Sequence, residues 1–134
     1  MKLKVDFSVF IRVSIDGTQN VSLLFYKDKY RILSCIPELC STASTVTKLI
    51  ETINDIHSNK IPEIALPSTT NDDPPAFTLH LTYNNAEFIN EYSANESVTI
   101  TTAELKEILF EFLYFLNKYE NNEIPNLIYT LQKE

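Results

Sequence analysis

The chain has 134 residues, of which 44% are apolar and 22% charged, and its formal net charge is −7. This is the composition of an ordinary globular protein, and the length suits one domain spanning residues 1–134. The negative charge argues against direct binding to a nucleic-acid backbone, and no stretch approaches the ~20 apolar residues of a membrane helix. Asp6 and Arg12 interrupt the first apolar run, so we expect no signal peptide and a cytoplasmic protein.

The chain begins with a long alternating segment. Apolar residues occupy every odd position from Leu3 to Ile15, and the even positions are mostly polar. Such alternation predicts a strand with one buried face. A turn at 16–20, which contains the only glycine, leads to a second predicted strand at 21–26 and then to a third at 30–35. The three strands together predict an antiparallel meander.

A helix is predicted from Ser41 to Ser58, because its apolar residues recur with helical spacing. This stripe consists of Val46, Leu49, Ile50, Ile53 and Ile56. Ser41 or Thr42 can cap the start of the helix, and Pro62 follows its end. Segment 61–66 is ambiguous, with Pro62 allowing at most a short edge strand.

The second half of the chain predicts three more strands and two helices. The strands are at 76–83, 86–92 and 97–101. A capping box at Thr101–Glu104 starts a helix that runs to about Tyr119, and a short terminal helix is predicted at 124–133. The order βββ-α-βββ-αα indicates an α+β fold, with a mostly antiparallel sheet of five to six strands and two to three helices packed on it.

Few residues suggest catalysis. A single glycine excludes the glycine-rich loops that bind phosphates or present a nucleophile. Cys35 and Cys40 lack a second pair and are expected to be buried or half-buried thiols, so we predict neither a metal nor another cofactor. We expect His57 to cap the end of its helix and His80 to be exposed on a strand. We therefore predict that the protein is not an enzyme, with a small enzyme using His80 and a carboxylate as the less favoured alternative.

The charge is divided unevenly along the chain. Residues 1–71 carry 8 Lys or Arg against 7 Asp or Glu, whereas residues 72–134 carry 3 against 11. Such acidity can serve solubility alone, or it can attract a basic partner. The change occurs in the proline-rich stretch Pro67–Phe77, which is interpreted either as the edge of a partner-binding surface or as a simple connector.

The candidate partner-binding residues come from the acidic half, where tyrosines suitable as interface anchors lie close in sequence to carboxylates. They are Asp72, Asp73, Tyr83, Glu87, Glu91, Tyr92, Glu96, Glu104, Glu107 and Glu111. The alternative for the last three is a solvated helix face with favourable placement near the N-terminus of a helix.

A small, acidic, glycine-poor α+β chain without a catalytic motif resembles the bacterial toxin-immunity proteins, including those of contact-dependent growth inhibition systems. The resemblance lies in size and charge, and no binding residue is carried over from it. It implies a cytoplasmic inhibitor that covers the active site of a cognate basic toxin domain, often a nuclease. Another non-catalytic binding or adaptor module is the alternative, and the oligomeric state stays open.

Overall fold

The computed structural model describes residues 6–13, 15–67, 76–93 and 96–121. In chain order its elements are strand β1 (Phe7–Val13), strand β2 (Gln19–Phe25), a 3₁₀ helix (Asp28–Cys35), helix α1 (Ile36–Leu39), helix α2 (Ala43–His57), strands β3 (Ile64–Pro67), β4 (Phe77–Leu81), β5 (Asn85–Asn90) and β6 (Ser97–Thr101), and helix α3 (Thr102–Glu120). The α+β fold class is confirmed. The helix predicted at 124–133 and most of the Pro67–Phe77 stretch lie outside the described residues.

The described strands form two antiparallel sheets instead of the single predicted one. β1 pairs with β2, and the other four are arranged in the order β3-β4-β5-β6. The ambiguous segment around Pro62 therefore leads into a short edge strand, β3, which is where the sheet tolerates a proline such as Pro67.

The predicted third strand at 30–35 is absent, because these residues belong to the 3₁₀ helix. Leu33 of this helix and Ile36, the first residue of α1, are both fully buried, and their spacing of three residues matches one turn of a 3₁₀ helix. In the sequence, a short apolar run such as this fits a strand or a helical segment equally well. The observed order therefore differs from βββ-α-βββ-αα at its third element.

The two-stranded sheet buries one face, as its alternating sequence predicts. The ring of Phe7 stacks on that of Phe25 with centroids 5.3 Å apart, and Ile11 is buried opposite Val21. The buried face ends at Ile11, however, since Val13 is 42% exposed and Ile15 is fully exposed in the turn. The alternating sequence pattern therefore extends to Ile15, past the last buried residue of β1, Ile11.

Helix α2 agrees with its sequence prediction. All five residues of the apolar stripe are buried. The Thr42 side chain accepts a hydrogen bond from the Thr45 amide at the start of the helix, and Asn59 follows its end with a φ of 60°. Asparagine tolerates this left-handed conformation better than most residues.

One cluster of buried residues joins both sheets to the helices. Helix α3 contributes Leu105, Ile108, Leu109, Phe112 and Leu116 to the cluster, and the predicted capping box between Thr101 and Glu104 is present. The inward side chains of β4 and β5 belong to the same cluster, so the helices cover one face of the four-stranded sheet. No helix in the described ranges is long and apolar enough to cross a membrane.

Helices α2 and α3 are antiparallel and are tied at their ends. The amide of Ala43, at the start of α2, donates a 2.9 Å hydrogen bond to the carboxylate of Glu120 at the end of α3. Near the opposite end of the helix pair, the Lys106 ammonium donates to the side-chain oxygen of Asn54 over 2.8 Å. The Glu120 carboxylate satisfies an amide that the helix itself leaves without a partner.

Candidate functional site

The four-stranded sheet has an inner face on the core and an opposite face that carries polar side chains. Leu79, Leu81 and Phe88 are fully buried, and because side chains alternate along a strand, His80 and Glu87 point to the other side. We call this side the outer sheet face, and its residues are Glu63, Thr78, His80, Glu87 and Glu91. Its carboxylates come from the start of β3 and from β5 and its end, and β4 between them contributes Thr78 and His80.

His80 lies between two carboxylates. Its Nε2 atom is 3.2 Å from Glu63 Oε2, and its Nδ1 atom is 4.0 Å from Glu87 Oε1. Glu87 is the direct partner of His80 in β5, whereas Glu63 precedes β3 on the other side. Both carboxylates are accessible, with 59% of the Glu63 side chain and 42% of the Glu87 side chain exposed.

Glu91 is fixed at the end of β5. Its amide donates to the carbonyl of Ala76 over 2.9 Å, and its carboxylate accepts a hydrogen bond from the Thr78 hydroxyl. Because Thr78 alternates with the buried Leu79, this contact places the Glu91 carboxylate on the outer sheet face.

The acids of the outer sheet face have no lysine or arginine partner among the described residues. The ion pairs of Lys and Arg in these ranges are Arg31–Asp28 and Lys60–Asp55, both elsewhere. Among the described residues, His80 is the basic side chain that lies beside two of these acids, Glu63 and Glu87.

The two predicted tyrosine anchors lie at opposite ends of the sheet. Tyr83 is in the turn between β4 and β5 and is 52% exposed, and Tyr92 follows the far end of β5 and is 63% exposed. Glu96 lies at the Tyr92 end, where its carboxylate accepts a 3.1 Å hydrogen bond from the side-chain amide of Asn90. β5 is an inner strand, with β4 on one side and β6 on the other.

The remaining predicted residues do not join this surface. Glu104, Glu107 and Glu111 belong to α3, which packs on the inner face of the sheet. Glu104 also accepts hydrogen bonds from the amide and hydroxyl of Thr101, so its position is explained by capping. Asp72 and Asp73 lie outside the described residues.

Sequence reasoning missed Glu63 as a member of the site. The residue stands between Pro62 and the short strand β3, in the segment whose conformation the sequence left ambiguous. Only the pairing of β3 with β4 brings it to His80. A histidine flanked by carboxylates can serve as a general base, which is part of what the alternative enzyme requires, but this one lies on an open sheet face.

His57 holds the other end of the helix pair together. Its Nε2 atom is 2.8 Å from the Tyr83 carbonyl and 3.0 Å from the Thr102 hydroxyl, which also donates to that carbonyl. Since a carbonyl only accepts, Nε2 carries the proton. The contacts account for His57 as a link between α2, α3 and the β4–β5 turn.

Neither cysteine has the chemistry of a nucleophile. Cys35 and Cys40 are free and buried. Burial raises the pKa of both thiols to about 12, and the charge of Glu38 adds to the effect on Cys35. A thiol that stays protonated at neutral pH is unreactive. Within the described ranges, no group of three or more His, Cys, Asp or Glu side chains is placed to hold a metal ion.

Comparison with known proteins finds no match to this chain among protein-family models, curated proteins or solved structures. Inferences about function therefore rest on the outer sheet face and its surroundings.

Proposed function

We propose that the protein is a non-catalytic, cytoplasmic immunity protein that binds a cognate basic toxin domain and covers its active site. The observation that carries the proposal is the outer sheet face, where Glu63, Glu87 and Glu91 lie together without a Lys or Arg partner among the described residues. If the toxin is a nuclease, these carboxylates can occupy the places of the phosphates that it binds.

The scaffold under these acids supports the same function. Each strand of the sheet is paired, and the opposite face is packed on the core. The carboxylates are thus held on a rigid platform, which lowers the entropy lost on binding. Tyr83 and Tyr92, exposed at the two ends of the sheet, are suitable aromatic anchors at the margins of such an interface.

A second candidate is another non-catalytic binding or adaptor module that uses α3 instead of the sheet. Phe110 and Tyr114 favour it, because these two of the helix's aromatic residues are more than half exposed. The two candidates differ in the surface that contacts the partner, so variants of each surface separate them.

The first test is co-expression with the product of the neighbouring open reading frame. We expect that product to be toxic alone, to be tolerated when this protein is present, and to co-purify with it in a salt-sensitive complex. A neighbour that is harmless alone and does not co-purify contradicts the proposal.

The second test locates the interface by reversing charge on matched sets of residues. The triple variant Glu63→Lys, Glu87→Lys, Glu91→Lys should weaken toxin binding roughly a hundredfold, because three interface charges change sign. The control triple, Glu51→Lys, Glu107→Lys, Glu111→Lys, changes the net charge equally on α2 and α3. It should leave the dissociation constant, measured by calorimetry, within about fivefold of the original. An equal loss in both triples contradicts the role of the outer sheet face.

A further inference from the structure

We infer that residues 124–133 form a helix that folds back along α3 and covers its exposed aromatic residues. The occupant of this surface is thus a segment of the same chain, and the inference goes beyond the proposed function without resting on it. It bears on the second candidate function, because a partner that uses this side of α3 must first displace the segment.

The surface to be covered is a groove between β1 and α3. Val9 of β1 and Phe115 of α3 are partly buried against the core, whereas Phe110 and Tyr114 are 51% and 63% exposed. We call these four residues, together with Glu111, the aromatic groove. Phe110 and Tyr114 are one helical turn apart and therefore share one side of α3. Exposed aromatic residues beside a partly buried apolar floor indicate a surface that another segment or molecule covers.

The chemistry of the groove favours an apolar occupant. The Lys118 ammonium lies over the Tyr114 ring, 5.0 Å from its centroid, so this ring already has a cation from its own helix. What the groove leaves accessible is mostly apolar, and it includes about half of Phe110. Removing these carbon atoms from water is favourable, which apolar side chains of an added helix can achieve.

Segment 124–133, which lies outside the described residues, has the sequence of a helix with one apolar face. Pro125 suits the first turn, where its missing amide hydrogen costs nothing. The apolar positions recur with helical spacing, and polar side chains occupy the opposite side. The apolar face consists of Ile124, Leu127, Ile128 and Leu131, and the polar face of Asn126, Thr130 and Lys133. A helix of this kind needs a surface that covers its apolar face.

The length of the segment matches the distance to the groove. α3 ends at Glu120, and residues 121–123 suffice for the turn of an antiparallel helix pair, which takes about two to five residues. As a helix, residues 124–133 measure about 15 Å, and the rise along α3 from Phe110 to Glu120 is also about 15 Å. A helix that folds back from Glu120 therefore extends to Phe110, with Leu131 level with Tyr114.

The position of the segment favours it over other occupants. The buried residues of α3 face the core, so the side with Phe110 and Tyr114 is the one left for another helix in the described part of the chain. A short linker gives the tethered segment an effective concentration of about 1 mM, roughly a thousandfold advantage over a second copy at micromolar concentration.

The test measures amide hydrogen exchange by NMR in the isotope-labelled full chain. A helix as short as 124–133 is marginal on its own in water, so protection of its amides reports packing on another surface. We expect the amides of residues 128–133 to exchange at least about tenfold more slowly than those of an unstructured chain. Exchange at the unstructured rate would overturn the inference.

Nuclear Overhauser effects in the same protein identify the surface. We expect them between the methyl groups of Leu127 or Leu131 and the ring protons of Phe110 or Tyr114. Mixing labelled with unlabelled chain shows whether these methyl groups belong to the same molecule. Effects within one chain support the inference. Effects only between chains assign the groove to a second copy, and effects to another surface, or none, leave the groove to a separate partner; each of these outcomes contradicts it.

Two pairs of substitutions compare the two faces of the segment. Leu127→Ala, Leu131→Ala changes the apolar face, and Asn126→Ala, Thr130→Ala changes the polar face. Alanine is the strongest helix former, so neither pair weakens the helix itself. The first pair should abolish the protection from exchange, whereas the second should keep it. Equal protection in the two pairs speaks against docking through the apolar face.

A third pair, Phe110→Ala, Tyr114→Ala, changes the groove and leaves the segment as it is. It should also abolish the protection, whereas the control Lys48→Ala, Glu51→Ala on the exposed side of α2 should not. A segment that stays protected without the two aromatic rings docks elsewhere, contrary to the inference. None of these measurements involves a toxin, so their failure leaves the immunity function standing, and failure to find a toxin leaves them unaffected.

Discussion

Cys35 and Cys40 show how position in the fold sets the chemistry of a side chain. Their side chains are 1% and 3% exposed, and the loss of solvent around them disfavours the thiolate. The pKa of each thiol rises from 9.0 to about 12. At pH 7 both are therefore small apolar groups of the core.

The raised pKa values predict a loss of stability at alkaline pH. A thiol that stays protonated in the folded state contributes stability that is complete below the unfolded pKa of 9.0 and is lost as the pH rises toward 12. We expect the free energy of unfolding in urea to fall between pH 9 and 10.5, by roughly 1 kcal/mol per thiol for each pH unit. Because tyrosines and lysines also titrate there, the comparison is with the double variant Cys35→Ala, Cys40→Ala, whose decline should be shallower. Parallel declines would contradict the assignment.

His57 and His80 show which properties of a single residue the sequence predicts and which it does not. The end position of His57 in its helix was predictable, since the periodicity of α2 ends there. Its partners were not, because Tyr83 and Thr102 are 26 and 45 residues away. The same holds for His80, whose strand was predictable but whose neighbouring carboxylates depend on the pairing of β3, β4 and β5. Contacts between distant segments are fixed by topology, which local patterns do not contain.

Helix α3 shows that a whole element is also only partly predictable from the sequence. Its capping box and approximate end followed from the sequence. Its apolar residues surround most of the helix, and this pattern predicts that the helix is covered on more than one side. In the structure Phe112 is fully buried, whereas Phe110, only two residues away, is 51% exposed.

This pair of phenylalanines gives a matched prediction. Phe112→Ala should lower the free energy of unfolding by about 3–5 kcal/mol, because it leaves a cavity in the core. Phe110→Ala makes the same chemical change at an exposed position of the same helix and should lower it by less than about 1.5 kcal/mol. Urea denaturation monitored by circular dichroism measures both, and similar losses would contradict the observed orientation of α3.

At the scale of the whole molecule, the two sheets share one hydrophobic core. Val21, Leu23 and Phe25 of the small sheet lie in the same buried cluster as Phe88 of the large sheet and Phe112 of α3. The sequence predicted strands in both places but not their division into two sheets, since the segment between them forms a 3₁₀ helix instead of a third strand.

This shared core predicts a single cooperative unfolding transition. The chain has no tryptophan but seven tyrosines, so tyrosine fluorescence can follow tertiary structure while far-ultraviolet circular dichroism follows the helices and strands. We expect the two signals to give the same midpoint in urea. Separate midpoints would indicate that the small sheet unfolds independently of the large one.

The hydrogen bond between Ala43 and Glu120 also has a consequence for biosynthesis. The two residues are 77 positions apart, so at 5–20 residues per second Glu120 leaves the ribosome about 4–15 s after Ala43. Once His57 has emerged, α2 is complete, but α3, which packs against it, is still unfinished. Until α3 is finished the apolar stripe of α2 lacks part of its cover, so we expect the nascent chain to expose this stripe to chaperones.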